Sequence, residues 1–481
     1  MRKYLFIFGV IGFVVLIIGG WWLSRYWNGL KPILIDPKKP IAEYFNDLGV
    51  GEKTSTTTVS GTPLILPTGF TIDLFANNVI GARDLAVDQY GEVWVSQPSQ
   101  GVVSVVDPMT NEVRAIFRNL NRPHGLVFHP QQKDVLYIAE EERIVKTAIR
   151  SEALLETVVP LPAGGRHWTR SLVFTSQEEL LVSIGSTCDV CEEKNSLHGT
   201  VQKVLLGEGR LEPYARGLRN AVFMAVHPKL ATVWVTEMGR DMLGDNLPPD
   251  EINVLQKDGF YGWPYYYGNN IRDQQFKPNV AVSLVYPLVE AKVELPAHVA
   301  PLGLAFVPKN SGWPKSYVGD LLVAYHGSWN RTDPVGYKIV RVLLDDAGNV
   351  EGIEDFITGW LTPENTALGR PVDVVFDQSG NLYISDDKAG VVYRVRYTAV
   401  PKPGEKDNET SNDVPATDRS VRSKDACVIT GCSGEVCADE ETITACIYRE
   451  EYACYQTVIC ERQAGGECGW SETEELRACL Q

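Results

Sequence analysis

A single pattern, repeated six times, constrains this chain more than any other feature. DLAVDQYGEVWVSQ (84–97), GLVFHPQQKDVLYIAE (125–140), SLVFTSQEELLVSIG (171–185), FMAVHPKLATVWVTE (223–237), GLAFVPKNSGWPKSYVGDLLVAYHG (303–327) and DVVFDQSGNLYISD (373–386) share one plan. Each has a short apolar strand, a polar turn, and a second strand that alternates aromatic and β-branched residues. Alternation of this kind predicts strands with one buried face. Units recurring roughly every 40–80 residues predict an all-β fold, a six-bladed β-propeller, over a sandwich with several hairpins. No long amphipathic helix pattern separates the strands, which excludes a doubly wound sheet. In a propeller the sheets are radial, the inner strands surround a channel, and loops at one end of that channel build the site.

The repeats occupy residues 62–397, and the flanks differ in kind. Residues 1–25 read as a membrane anchor: Tyr4 to Leu23 is an apolar run of about 20 residues, enough to span a bilayer. Arg2 and Lys3 precede it, and Trp21 and Trp22 fall where an interfacial aromatic belt would lie. No small-residue cleavage pattern follows, so an uncleaved single-pass helix is expected, with a cleaved signal peptide as the alternative. That orientation puts the bulk of the chain outside the cytoplasm, periplasmic or on the cell surface. Residues 26–61 form a tether. Residues 398–425, rich in Pro, Asp, Ser and Thr, have linker composition.

Residues 426–481 hold eight of the ten cysteines: Cys427, Cys432, Cys437, Cys446, Cys454, Cys460, Cys468 and Cys479. An even count in an extracytoplasmic segment predicts a disulfide framework of open connectivity. A zinc module is disfavoured by irregular spacing and by the absence of histidine. The formal charge of −16 excludes nucleic acid as a main partner.

Candidate chemistry gathers just before the inner strands and in one loop. TEMGRDMLGDNLPPDEINVL (236–255) breaks a strand with Gly239, Gly244, Pro248 and Pro249, and crowds Glu237, Asp241, Asp245, Asp250 and Glu251 into the break. A solvated turn or a cation site would explain it. His167, in GGRHWTRSLVF, is placed to take a proton from an alcohol or to serve as a structural histidine. Arg219 and Asn220, in YARGLRNAVF, offer a guanidinium fork and an amide, or a surface ion pair. Cys188 and Cys191, in IGSTCDVCEE, predict a structural disulfide near the site; they follow a strand, and Glu192 stands where haem attachment needs histidine. His298, His326 and Arg331 flank the fifth repeat. Arg83, Arg122 and Arg370 precede the first, second and sixth. Recurring cations at these positions predict a positively lined channel in an acidic protein, suited to a small polyanion.

HWTRSLVF, ARGLRN, TEMGRDMLGDNLPPDEINVL, GFYGWPYYYG and HGSWNR, in that order, resemble the sorbosone dehydrogenase family, which is related to soluble quinoprotein glucose dehydrogenases. The resemblance implies a propeller carrying pyrroloquinoline quinone (PQQ) and calcium. The implied reaction is oxidation of a sugar, sugar aldehyde or related alcohol, with electrons leaving to a separate quinone or cytochrome. It implies that His167 is the base, that Arg219 and Asn220 lie beside the quinone, and that Arg370 holds a cofactor carboxylate. Arg122, by its position before the second repeat, is expected as a further cofactor contact. The carbonyls of Gly239 and Arg240 are implied calcium ligands, with Asp241 beside them fixing the turn or binding through water.

The chain departs from the glucose dehydrogenases at Val372, where they carry a second arginine, and at their lysine, for which it offers His326 or Arg331. The cysteine-rich end resembles small eight-cysteine modules of bacterial surface proteins. Two rival readings of the propeller are a calcium-dependent lactonase and a surface module that only binds.

Overall fold

The computed structural model describes residues 63–150, 154–276 and 286–399 continuously, with short stretches before residue 47 and within 427–479. Six four-stranded antiparallel sheets form the larger unit. Their inner strands are Leu85–Val87, Leu126–Phe128, Leu172–Phe174, Ala221–Val226, Pro301–Phe306 and Pro371–Phe376, which open blades 1 to 6 in chain order. Each repeated sequence unit is therefore the first two strands of one blade, and the six-bladed propeller expected from the repeats is the fold.

Alternation predicted second strands with one wet face. Instead Val93–Gln97, Leu180–Ile184, Val233–Glu237, Leu321–Tyr325 and Leu382–Asp386 are buried at every residue. The reason is tertiary, because neighbouring blades stack on both faces of each sheet. Polar residues on these strands are consumed inside. Thr236 Oγ1 donates to the Leu302 carbonyl of the next blade at 2.7 Å. The ring is drawn tight at its centre: the Leu85 amide donates to Asp373 across blades 6 and 1 at 2.8 Å. A Cβ on Gly303 would lie 2.4 Å from the Asp373 Cα, so only glycine permits that approach.

The N-terminal strand Phe70–Ala76 supplies the outer strand of blade 6 by pairing with Val391–Tyr397, which joins the two ends of the propeller. Phe70 anchors this closure, edge-on to Trp313 at 4.7 Å and to Phe356 at 5.1 Å between ring centroids. Burying one such ring contributes roughly 1.5–3 kcal/mol.

All inner strands begin at the same end of the channel, and the loops between second and third strands return there. That mouth gathers the candidate residues. A cavity of about 350 Å³ lies between the inner strands themselves, walled largely by apolar groups such as Leu126, Phe223, Phe306 and Phe376. His167, Arg219 and Arg370 do not line it.

A second compact unit spans Pro403–Gln481, the first being Met1–Lys402. In the second, Val428–Thr430 pairs with Val436–Ala438, and Cys460–Arg462 pairs with Cys468–Trp470. The bridges are Cys427–Cys468, Cys437–Cys460 and Cys454–Cys479; Cys432 and Cys446 lie outside the described residues. Bridges typically contribute about 2–4 kcal/mol each, a large share where elements this short bury little. No helix among the described residues is long and apolar enough to cross a membrane. Of the anchor expected at Tyr4–Leu23, residues 14–21 are helical and the flanking parts fall mostly outside the described residues.

Candidate functional site

His167 stands on the approach to blade 3, and its Nδ1 lies 2.7 Å from Ser186 Oγ. The Ser186 hydroxyl lies 2.8 Å from the Cys188 carbonyl. A carbonyl only accepts, so one serine proton satisfies both contacts when Nδ1–H donates to Ser186 and Ser186 donates to Cys188. This leaves Nε2 with a bare lone pair. Burial, reinforced by Arg219 and Arg166, lowers the imidazole from 6.5 to about 3, so the ring is neutral near pH 7. A neutral, oriented imidazole is what the sequence reading required of a base.

Arg219 is buried and held on three sides. Its Nε donates to the Asp189 carbonyl at 2.8 Å and its Nη2 to Asp189 Oδ1 at 2.6 Å. Nη1 donates to the Met238 carbonyl at 3.1 Å. Asp189 and Cys188 belong to the small loop closed by the Cys188–Cys191 disulfide, which forms as the spacing predicted. Asn220 follows, its amide on Glu237 Oε1 at 3.0 Å.

The 238–249 loop is built from its carboxylates. Asp250 accepts from the Gly239 amide at 2.9 Å and the Ala300 amide at 2.8 Å, which turns the loop at Gly239. A Cβ on Gly239 would sit 2.7 Å from the Pro249 carbonyl oxygen, so this turn needs glycine. Asp241 is fully engaged: Asn330 Nδ2 reaches Oδ1 at 2.7 Å, while Arg166 and Arg219 reach Oδ2 at 2.9 and 3.6 Å. His298 ties the far end of the loop through Nε2 to the Gly244 carbonyl at 2.8 Å. Among the described residues, the Gly239 and Arg240 carbonyls accept no hydrogen bond from any backbone or side-chain donor.

Blades 5, 6 and 1 supply the other side of the mouth. Asp387 receives Arg83 Nη1 at 3.0 Å and His326 Nε2 at 2.9 Å. Although burial opposes ionisation, His326, Arg83 and Arg370 together hold the Asp387 carboxyl below its ordinary range. Burial lowers His326 to about 4, against the pull of Asp387, so His326 is neutral. Arg370 has no carboxylate partner among the described residues. Its Nε donates to the His326 carbonyl at 3.0 Å, its Nη2 to the Gly327 carbonyl, and it lies over the Tyr337 ring at 5.3 Å.

This corrects the expectation of a channel lined by unopposed cations. Arg83 pairs with Asp387, Arg219 with Asp189, and Arg122 with Glu141 at 3.1 Å. A buried charge without a partner is costly, and three of the four arginines that precede inner strands, Arg83, Arg122 and Arg219, meet an acid from a nearby loop. Arg122 is also peripheral, half-exposed and stacked over Trp168 at 5.5 Å. Of the sequence-predicted cations, only Arg370 and Arg331 make no direct ion pair with a carboxylate among the described residues, although Arg370 lies within electrostatic reach of Asp387. Arg331 donates to the Ala297 carbonyl at 3.3 Å, and its Nε is buried without a partner. Of the two candidates for the relatives' lysine, His326 is thus spent on Asp387 and Arg331 remains available.

The sequence reading did not single out Ser186, Asp189, Arg166, Asn330 or Asp387. Asn330, within HGSWNR, has a buried Oδ1 without a partner. Asp189 carried one legible signal, its place inside the CxxC loop.

The mouth of this six-bladed propeller brings together a neutral imidazole, two carbonyls without a hydrogen-bond partner and two guanidinium groups outside any ion pair among the described residues, and its relatives by sequence place it among the quinoprotein-like propellers. The chain belongs to the TrAA12-like family, whose profile matches residues 64–259 and 285–398. A CGP-CTERM domain profile matches residues 376–481.

An uncharacterised protein of Borreliella burgdorferi is 30% identical over 356 residues, 70% of this chain and 92% of its own. A pyrroloquinoline quinone-dependent pyranose dehydrogenase of Coprinopsis cinerea is 34% identical over 131 residues, 24% of this chain but only 17% of its own length. The solved structure of the Trichoderma reesei family AA12 enzyme with iodide superposes with a TM-score of 0.60. It is 21% identical and covers 70% of this chain and 98% of its own. At that identity the likeness establishes the fold.

Proposed function

We propose that the chain is a PQQ- and calcium-dependent dehydrogenase of a sugar, sugar aldehyde or related alcohol, acting outside the cytoplasmic membrane and passing electrons to a separate acceptor. The observation that carries this reading is the division of the mouth. One side offers oxygen acceptors and a bare imidazole nitrogen, and the other offers guanidinium donors.

The residues fit both groups. Calcium takes oxygen ligands, backbone carbonyls included, and the Gly239 and Arg240 carbonyls have no hydrogen-bond partner among the described residues. Asp241, spent on two arginines and Asn330, shapes the loop and is not a free ligand. A tricarboxylated quinone suits Arg370 and Arg331, which make no direct ion pair with a carboxylate among the described residues, and Arg331 Nε is a buried donor without a partner there. When bound, PQQ with calcium supplies a two-electron hydride acceptor of raised electrophilicity. The remaining work belongs to the chain.

His167 accepts the substrate hydroxyl proton at Nε2, while Ser186 keeps Nδ1–H in place. Arg219 places a fixed positive charge where negative charge develops. Trp329, exposed at the mouth beneath Arg166 at 5.8 Å, offers a flat apolar face for a sugar ring. The lactonase reading calls for free carboxylates on the metal, whereas both oxygens of Asp241 and of Asp250 are engaged. Glu237, whose Oε2 has no partner among the described residues, is pushed well up by burial and so held toward its neutral form.

Reconstitution of the full chain with calcium and PQQ tests this proposal. Aldoses and sugar aldehydes are supplied and reduction of an artificial dye is followed. The wild type is expected to reduce the dye, and His167→Ala to lose about 10²–10⁴-fold in kcat with PQQ still bound. Lactone opening without PQQ would overturn the proposal, as would dye reduction indifferent to His167.

A further inference from the structure

The loop from Ser186 to Glu193 touches both halves of the proposed chemistry, yet it has no helix or strand to hold it. Its hydrogen bonds converge on two successive residues. The Cys188 carbonyl accepts from Ser186, which meets His167 Nδ1. The next carbonyl, of Asp189, accepts Arg219 Nε. The Asp189 carboxylate binds Arg219 Nη2 at 2.6 Å and also accepts the Asp241 amide at 3.0 Å, which joins the disulfide loop to the acidic loop of blade 4. The ring is then closed covalently three residues on, by Cys191. Glu193 caps its start, accepting from the Thr187 amide at 2.6 Å and hydroxyl at 2.7 Å. Consecutive carbonyls aimed at two different side chains demand a sharply fixed backbone. A three-residue span under a disulfide provides that where secondary structure does not.

We infer that the Cys188–Cys191 ring is a positioning device. Its Cys188 carbonyl sets the His167 tautomer through Ser186, and Asp189 is the positioning residue that fixes the Arg219 guanidinium and registers it against the 238–249 loop. This rests on the roles given above to His167 and Arg219, but it makes claims about the protein without cofactor. In the full-length apo chain, ¹⁵N imidazole spectra should show His167, assigned by its loss in His167→Gln, as a single Nδ1–H tautomer. The Arg219 Nε–H should be sharp and slow to exchange.

Cys188→Ser with Cys191→Ser keeps every side-chain acceptor but opens the ring. It should give a tautomer mixture, with Arg219 Nε–H exchange faster by at least tenfold. Asp189→Ala should broaden Arg219 and leave the His167 tautomer intact, and Asp189→Asn, which retains an acceptor, should restore Arg219. In the reconstituted enzyme the open-ring variant should lose kcat on the order of 10- to 100-fold, with KM changed much less.

Thermal melting of the propeller separates positioning from folding. If the open-ring variant does not fold, the Asp189 pair decides alone. An open ring that keeps one tautomer and a protected Arg219 overturns the inference, as does an Asp189→Ala chain with Arg219 unchanged. Locked apo signals in a wild type that never oxidises a sugar would instead uphold the device and sink the proposed reaction.

Discussion

The two sides of the propeller mouth solve opposite problems. The side made by blades 3 and 4 buries acceptors that are left open: the His167 Nε2 lone pair and the Gly239 and Arg240 carbonyls. It holds them with a disulfide ring and with carboxylates turned on their own backbone, Asp250 above all. The side made by blades 5, 6 and 1 buries donors around one carboxylate, Asp387, which takes up Arg83 and His326 directly and leaves Arg370 outside any ion pair. The difference teaches that net charge is a poor guide to such a mouth. Most cations on both sides meet a carboxylate, and what distinguishes the sides is which atoms remain without a hydrogen-bond partner among the described residues.

The sharpest test of the first side is proton affinity. Burial lowers His167 to about 3 from an ordinary 6.5, a depression worth more than a thousandfold in proton affinity. Titrating the ¹⁵N-labelled apo chain from pH 8 to 4 should leave His167 neutral throughout. A midpoint near the ordinary value would show that the imidazole is wet, and the contrast between the sides would fail. Because the unfolded ring would recover an ordinary value, the unfolded chain gains this proton first as pH falls below about 6.5. Acid therefore destabilises the fold through His167, and His167→Gln should flatten that slope of melting temperature against pH.

On the second side, Arg370→Ala should weaken PQQ binding by about 10- to 100-fold, the range of a charge-assisted bond, and leave melting in the apo chain little changed. Quenching of intrinsic fluorescence on adding PQQ would read it, and unchanged affinity would remove Arg370 from the cofactor. Asp387→Asn should act in the reverse way. It leaves Arg83 without its carboxylate and costs about 1–3 kcal/mol in denaturant unfolding, with the larger loss in stability and the smaller in affinity. The least effect is expected at the rim: Trp329→Ala should raise KM for a pyranose about 2- to 10-fold without changing kcat, as expected for loss of a stacking face. A fall in kcat with constant KM would place Trp329 nearer the reacting atoms.

Much of the fold was legible because it is written in period. Six copies of strand, turn and strand announce six blades, and glycine and proline in 236–255 announce a turn too rigid for a simple connection. The sites of His167, Arg219, Arg370 and the Gly239 loop were legible for a related reason: they immediately flank inner strands or interrupt a blade, so chain position alone puts them at one mouth. The burial of both faces of the second strands was not legible, since a strand's sequence records its own alternation and not the blade stacked behind it. Nor were Asp387 as the partner of Arg83, more than 300 residues away, and Asp189 as the holder of Arg219. An acid in a loop reads the same whether water or a distant guanidinium faces it.

By itself, then, the sequence determined the repeat, the number of blades, the cysteine-rich end and the residue types brought to the mouth, because these depend on local pattern and spacing. Tertiary structure decided which charges cancel, which nitrogen of His167 is bare and which carbonyls stay open. Those depend on contacts between segments far apart in the chain, and burial makes every unmet hydrogen bond costly enough that each contact is settled by its neighbours in space.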